Sequence, residues 1–244
     1  MKKQLIDKLI AVAEFDKELP LHILDFGCGD GYLLSRVKEH TSNQSTLIGV
    51  DAMPEAIEQA RSQFPDIDFR CQKFVNSLDF ADKTFDTVMS VDTFECIPDK
   101  TCLINEIHRV LKQNGKVMIA HWDWDTQVYN TENKGIIRKF VHAFCDWQQK
   151  WMDVCDGQMG RKLWGVFEGS AKFHGHIESF CLLETNYSKG NYGYDRLQDL
   201  ASLVRTGILD NMEYEFILTE MAELNRRGQY LYSVNSYIYY ARKV

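Results

Sequence analysis

The stretch ILDFGCGDGYLLSRV, residues 23–37, decides the fold. It opens as the end of a strand, passes through Gly27, Gly29 and Gly31, and continues with Leu33, Leu34 and Val37 at helical spacing. A strand entering a helix through a glycine loop is the first unit of an α/β sheet that binds ligands at its carboxyl edge. Glycine lets a ligand touch the backbone, and free amides at a helix start suit a polar or anionic group. Asp25 and Asp30 beside the loop disfavour a pyrophosphate, and GxGxG is not the dinucleotide spacing GxGxxG. Taken alone, the glycines are also consistent with a tight turn.

Working outward, TLIGVD (46–51) reads as a second strand ending in Asp51, 20 residues after Gly31. In doubly wound folds an acid here accepts hydrogen bonds from a ribose diol; the alternative is a cap for the helix MPEAIEQARSQF (53–64). Further strands are expected at IDFRC (67–71), TFDTVMSV (84–91) and GKVMIAHW (115–122). Between the last two, Leu103, Ile107, Val110 and Leu111 share a helical face and Gly115 follows as a stop. Strands alternating with helices imply a parallel sheet with right-handed crossovers.

After Trp122 the rhythm changes. Ile137, Phe140, Val141, Phe144, Trp147 and Trp151 form one stripe of a longer helix over 131–154, read as part of a lid. HIESFCLLETNY (176–187) and QYLYSVNSYIYYARK (229–243) read as strands. Between them come a helix from Asp195 to Val204, stopped by Gly207, and a second opened by Asp210 with Glu213 at capping-box spacing.

The 244 residues, 45% hydrophobic and 26% charged, are ordinary globular values and suffice for one domain with a full core. A mean hydropathy of −0.33 and the lack of an apolar run of about 18 residues predict a soluble protein without a membrane partner. MKKQLIDKLIAVAEF is interrupted by Asp7 and Lys8 and reads as a short amphipathic helix, not a signal peptide. A net charge of −7 offers no field to attract a polyanion, so nucleic acid is not an expected partner. Residues 1–125 carry 14 basic and 21 acidic side chains (−7), whereas 126–244 carry 14 of each, so the halves are expected to do different jobs. The seven cysteines contain no CxxC pair and match neither a disulfide framework nor a metal site, which points to a reducing cytoplasm.

Residues 22–122 resemble the class I S-adenosylmethionine-dependent methyltransferases, in particular a small-molecule branch similar to the quinone-biosynthesis C-methyltransferases. The resemblance lies in DFGCGDG (25–31), GVDAMPEAI (49–57), LDFADKTFDTVMSVDTFECIPD (78–99) and HRVLKQNGKVMI (108–119). It implies a Rossmann-like, doubly wound, mostly parallel seven-stranded sheet whose final strand is antiparallel. It also implies S-adenosyl-L-methionine as cofactor and S-adenosyl-L-homocysteine as product. The methionine part would lie against Asp25, Gly27, Cys28 and Gly29, the ribose on Asp51, the adenine beside Ala52 and Met53, and the backbone at Val91 and Asp92 would face the methionyl end. Many relatives place an acid after strand three to receive the adenine amino group. Here Phe74 and Val75 stand there, so the Phe74 ring and Val75 backbone are expected to hold adenine, with Asn76 as a substitute acceptor; core packing is the other account of Phe74.

Methyl transfer from a sulfonium is an in-line displacement that asks the protein for alignment and desolvation. An acidic hydroxyl or an amine acceptor gains from a nearby base. HWDWDTQVYN (121–130), just past strand five, reads as an aromatic and acidic loop at the ligand edge: His121 and Asp123 are the candidate catalytic residues, and Trp122, Asp125, Gln127 and Tyr129 candidate orienting groups. Trp151 and Trp164 are candidate stacking walls, and Arg161 a clamp for a substrate carboxylate. For each singly, burial at a strand end, a helix cap, core packing or a surface ion pair is the structural alternative. The expected organisation is one domain: a cofactor half (1–125), a lid or substrate insertion (126–172), and two last strands with two helices between them (173–244). The expected function is O- or N-methylation of a small molecule, with a nicotinamide-dependent oxidoreductase or a non-catalytic S-adenosylmethionine-binding protein as rivals.

Overall fold

The computed structural model describes residues 2–244. Its first half alternates as the hydrophobic pattern requires. The strands are β1 (His22–Phe26), β2 (Thr46–Asp51), β3 (Asp68–Cys71), β4 (Phe85–Val91) and β5 (Leu111–Tyr129). The helices are α1 (Lys2–Ala13), α2 (Tyr32–Lys38), α3 (Pro54–Gln63) and α4 (Lys100–Val110). The second half holds α5 (Lys134–Cys145), α6 (Met159–Glu168), β6 (Phe173–Glu184), α7 (Tyr192–Asp199), α8 (Ala201–Arg205), α9 (Asn211–Arg226) and β7 (Tyr232–Lys243). The described residues form one seven-stranded sheet in the order β3-β2-β1-β4-β5-β7-β6. β1 to β5 run parallel, and β7 inserts antiparallel between β5 and β6. This is the doubly wound, Rossmann-like topology that the resemblance implies.

Two apolar layers cover the sheet. One contains Leu5, Leu9, Leu34, Ile57, Phe69, Trp122 and Ile217, the other Leu24, Val88, Ile107, Ile119, Leu163 and Phe167. Central strands that are buried on both faces read as continuous apolar runs, which is why ILDF and TVMSV were recognisable. Among the described residues no helix is long and apolar enough to cross a membrane.

The second half departs from expectation in three places. First, residues 121–129 are not a loop. β5 continues through them beside β7, with His121 opposite Tyr237, Trp122 opposite Ser236 and Asp123 opposite Asn235, then resumes at Val128 opposite Ser233. A wide bulge lies between. Side chains hold it: Thr126 Oγ1 donates to the Asp123 carbonyl at 2.6 Å and accepts from Asn235 N at 2.9 Å, and Gln127 Nε2 donates to the Trp124 carbonyl at 2.9 Å. Period-two alternation is lost at a bulge, so the strand signal failed there.

Second, the single helix expected over 131–154 ends at Cys145, and residues 146–158 form an irregular segment before α6. The α6 helix is no lid: Gly160 rests directly on β5, where an added Cβ would stand 2.9 Å from the His121 carbonyl. The apolar stripe of α5 packs into the core through Ile137, Phe140, Val141 and Cys145. Only 146–158 reaches the ligand edge. Third, the single helix expected from Asp195 to Val204 starts at Tyr192 and breaks at Leu200 into α7 and α8, so three helices and not two lie between β6 and β7; α9 is capped as expected, with Asp210 Oδ1 accepting from Glu213 N at 2.9 Å.

Candidate active site

The carboxyl ends of β1, β2 and β4 open on a cleft of about 620 Å³, a size that encloses a small organic ligand. The glycine loop makes its floor. Gly27 N and Cys28 N both donate to the Val50 carbonyl, at 2.8 and 3.0 Å, which closes the loop onto β2. Gly27 has φ +75°, and a side chain there would collide with Thr93, so the loops after β1 and β4 can meet only over a glycine. Gly29 differs: its φ is +53°, and an added Cβ would meet nothing within 4 Å, so its side-chain direction faces open cleft.

Asp51 joins the two halves of this floor. Its Oδ2 accepts from Gly29 N and its Oδ1 from Met53 N, both at 2.9 Å, while the residue keeps partial exposure to the cleft. It does not cap α3, whose cap position is Met53. Each carboxylate oxygen retains a lone pair beyond these bonds, enough for a diol. Ala52, Met53, Phe74 and Ile97 give an apolar slot beside Asp51, with Phe74 set edge-on to Phe26 at 5.9 Å. A nucleoside fits these residues: open space over Gly29, an acceptor at Asp51 and flat apolar walls.

Of the expected cofactor residues, Gly27, Gly29, Asp51, Ala52, Met53, Phe74, Val91 and Asp92 line the cleft. Three do not. Asp25 is 1% exposed beneath the loop, Cys28 is 4% exposed with its sulfur packed on Gly49, and Val75 is 68% exposed outside the cleft. The Asn76 carbonyl accepts from Cys102 Sγ at 3.3 Å, and the residue is not among the lining groups.

The other end is built by the loop after β4. Asp92 leaves the strand with φ +62°, and its amide still donates to Ala120 of β5 at 2.9 Å. This turn exposes the Asp92 side chain to the cleft while a short 3-10 turn, Phe94–Cys96, buries Phe94 and Glu95. Behind them lies His121, fully buried, with Nδ1 3.5 Å from Asp92 Oδ1 and Nε2 4.0 Å from Glu95 Oε2. His121 Nδ1 is 2.7 Å from the Trp122 carbonyl. A carbonyl only accepts, so Nδ1 is the donor in this contact, and Nε2 faces Glu95. Burial, and then the nearby Asp92 charge, push the Glu95 carboxyl up to about 8, against a smaller lowering by a hydrogen bond with the Trp124 side chain. Burial raises the Cys96 thiol to about 12, so it is no nucleophile at neutral pH. Tyr192, from α7, lines the cleft opposite, its ring 5.1 Å from Trp122.

The remaining expected residues fall elsewhere. Asp123 is fully buried and held bidentately by Arg161, Nε to Oδ2 at 2.5 Å and Nη2 to Oδ1 at 2.6 Å. This corrects both readings: the carboxylate is not open to a substrate, and the Arg161 fork is filled by the protein's own acid. Asp125 accepts from Gln158 Nε2 at 3.1 Å and lies 3.3 Å from Arg161 Nη2. Tyr232 donates to Gln127 Oε1, and Tyr129 donates to the Gly193 carbonyl, each at 3.1 Å. Trp122 is core at 1% exposure, and Trp164 stands on the outer surface of α6 against Tyr239. Of the expected substrate residues only Trp151 lines the cleft, on the 146–158 segment, which the Lys73–Asp153 ion pair at 2.9 Å ties to the loop after β3. Glu95, Thr93, Tyr192, Gln72 and Asp153 had no motif of their own. The one usable signal was Glu95 inside the apolar stretch FECIP, an acid where packing favours carbon.

A family model described as Methyltransferase domain matches residues 18–191. A methyltransferase-like protein of Schizosaccharomyces pombe is 30% identical over 145 residues, 58% of this chain and 54% of that one. A ubiquinone biosynthesis O-methyltransferase of Xanthomonas oryzae pv. oryzae is 32% identical over 102 residues, 40% of this chain and 41% of that one. The crystal structure of the YcgJ protein from Bacillus subtilis superimposes with a TM-score of 0.63 at 19% identity, covering 98% of this chain and 97% of the other. The chain spans about half the length of the curated relatives it matches.

Proposed function

This chain belongs to the methyltransferase-domain family, and we propose that it transfers the methyl group of S-adenosylmethionine to an oxygen or nitrogen of a small-molecule acceptor. The observation that carries the reading is one continuous cleft, running from the open face of Gly29 and the Asp51 carboxylate to Asp92 and Tyr192. S-Adenosylmethionine supplies an activated methyl group on a cationic sulfur. Asp51 holds the ribose diol, Met53 and Phe74 flank the adenine, and the space over Gly29 takes the methionyl chain. Asp92 is the protein group that meets the acceptor. His121 serves as a positioning residue, its fully buried ring set against the Asp92 carboxylate with Nδ1 3.5 Å from Oδ1. The 146–158 segment covers the cleft and excludes water with Trp151.

The oxidoreductase rival requires a pyrophosphate at the glycine loop. The charged residues lining the cleft are Asp51, Glu55, Asp92 and Asp153 against Lys73 alone, and Lys73 is paired with Asp153. That field repels a dianion and favours a sulfonium. Calorimetric titration of the protein with S-adenosylhomocysteine and with NADH decides between them. Binding of the first and not the second is expected; the reverse sinks the proposal.

A further inference from the structure

The proposed function leaves the acceptor's charge open, and the acceptor end of the cleft carries chemistry that fixes it. Beyond the glycine loop the lining groups are Asp92, Thr93, Trp151, Asp153 and Tyr192. Asp153 is neutralised by Lys73. Asp92 keeps 31% of its side chain exposed while its Oδ1 is buried toward His121 with no hydrogen bond among the described residues, and across the ring of His121 is a second carboxyl, Glu95. The Arg161 guanidinium is closed on Asp123. Arg196 lies against the Tyr192 ring at 5.4 Å, but is paired with Asp199 at 2.8 Å and stacked on Trp124 and Phe144 as well. A substrate carboxylate or phosphate therefore finds no cation there that is not already paired with an acid of the protein, and an oxygen acceptor would become more negative beside Asp92 as it loses its proton. An ammonium finds the opposite: a partly exposed carboxylate and two aromatic side chains, Trp151 and Tyr192, in the same lining, the usual surroundings of a bound cation.

We infer that the acceptor is an amine, held as its ammonium by Asp92 between Trp151 and Tyr192. The inference rests on the methyltransferase reading of the same cleft. The ammonium gives one proton to Asp92, which later passes it to solvent. The nitrogen lone pair then forms the N–CH3 bond as the S–CH3 bond breaks, the bonding pair stays on sulfur, and a neutral thioether departs. Charge is conserved, since one positive centre is lost at sulfur and one regained at nitrogen. No metal or further reactant is needed.

The test uses the full chain saturated with S-adenosylhomocysteine, whose binding is measured first. Three probes sharing a phenethyl group are then titrated: phenethyltrimethylammonium, a cation that cannot lose a proton; 2-phenylethanol; and 3-phenylpropionate. The cation is expected to bind at least about tenfold more tightly than the other two, and Asp92→Asn to abolish that advantage with less than about a twofold change in S-adenosylhomocysteine affinity. Asn tolerates a positive φ, so the variant keeps the turn. Failure to bind S-adenosylhomocysteine refutes the methyltransferase reading. Normal S-adenosylhomocysteine binding without a preference for the cation, including no measurable binding of any probe, or a preference that survives Asp92→Asn, overturns the amine inference alone.

Discussion

Glu95→Gln tests whether the carboxyl behind the acceptor end is held neutral, as its surroundings require. Glu95 is 6% exposed, beside His121 and Asp92, and sits at about 8 against 4.5 for an ordinary glutamate, chiefly through burial. At pH 7 about ten molecules carry it protonated for each that carries it ionised. A carboxyl raised in the folded state contributes stability that is complete below about 4.5 and lost as pH rises through about 8, because the folded chain holds a proton that the unfolded chain has released. At 1.36 kcal/mol per unit, the rise from 4.5 to about 8 has a ceiling of about 5 kcal/mol. Relaxation of the buried site and water penetration bring the expected value to about 2 to 4 kcal/mol.

Glutamine keeps the shape and the acceptor for Trp124 but does not titrate. Urea unfolding of both proteins under reducing conditions, at unit steps from pH 5 to 9, gives the difference in stability. Other titrating groups cancel in it. The wild-type chain should lose about 2 to 4 kcal/mol relative to Glu95→Gln across that range, most of it between pH 6 and 8. Parallel curves would show that Glu95 ionises normally and would remove the argument for a low-dielectric acceptor end. Repeating the pair in an Asp92→Asn background should shrink the difference, because the second cause of the shift is then gone.

Three further outcomes follow from the cleft. Asp51→Ala should weaken S-adenosylhomocysteine binding by about 1 to 3 kcal/mol, measured by calorimetry, since a charged acceptor and the anchor of Gly29 N are both lost; an unchanged affinity would remove the ribose assignment. Gly29→Val should bind no S-adenosylhomocysteine, because the new side chain projects into the cleft and a β-branched residue is strained at φ +53°; a cooperative melt with retained binding would count against the glycine loop as the cofactor floor. Trp151→Ala should shift the melting temperature by no more than about 2 °C, as Trp151 is 51% exposed. Binding of the cationic probe should nevertheless fall, and a loss of 3 kcal/mol in stability would instead mark Trp151 as core.

Much of the fold was legible because β1, β2, β4 and the first part of β5 are buried on both sides and bounded by glycine or a helix signal. The apolar run and its stop were enough to place HILDF, TLIGVD and FDTVMSV within a residue of their observed ends. The segment from 121 to 158 was not legible for a physical reason. In β5 the bulge after Asp123 replaces period-two alternation with hydrogen bonds from Thr126 and Gln127, and polar residues used that way look like a loop. Likewise Trp147 and Trp151 continue the α5 stripe at helical spacing, yet the chain leaves the helix after Cys145, and Trp151 turns to the cleft.

The site was half legible, along a clear line. Groups that bind a ligand through the backbone announce themselves, because only glycine tolerates the positive φ at Gly27 and Gly29, and an acid at the end of a second strand has few other uses. Groups that act through charge do not, because their role depends on which chains are brought together across the sheet. His121 and Asp123 stand two residues apart on one strand and look alike in sequence. The fold gives Asp123 to Arg161, 38 residues away, and His121 to Asp92 and Glu95, from a different strand's end. A buried carboxylate with a bidentate guanidinium is chemically silent, whereas a buried imidazole set 3.5 Å from an acid of the cleft and 4.0 Å from an acid of the core can hold the first in place. The distinction that matters for function lies in the partner and not in the residue, and strand order supplies the partner.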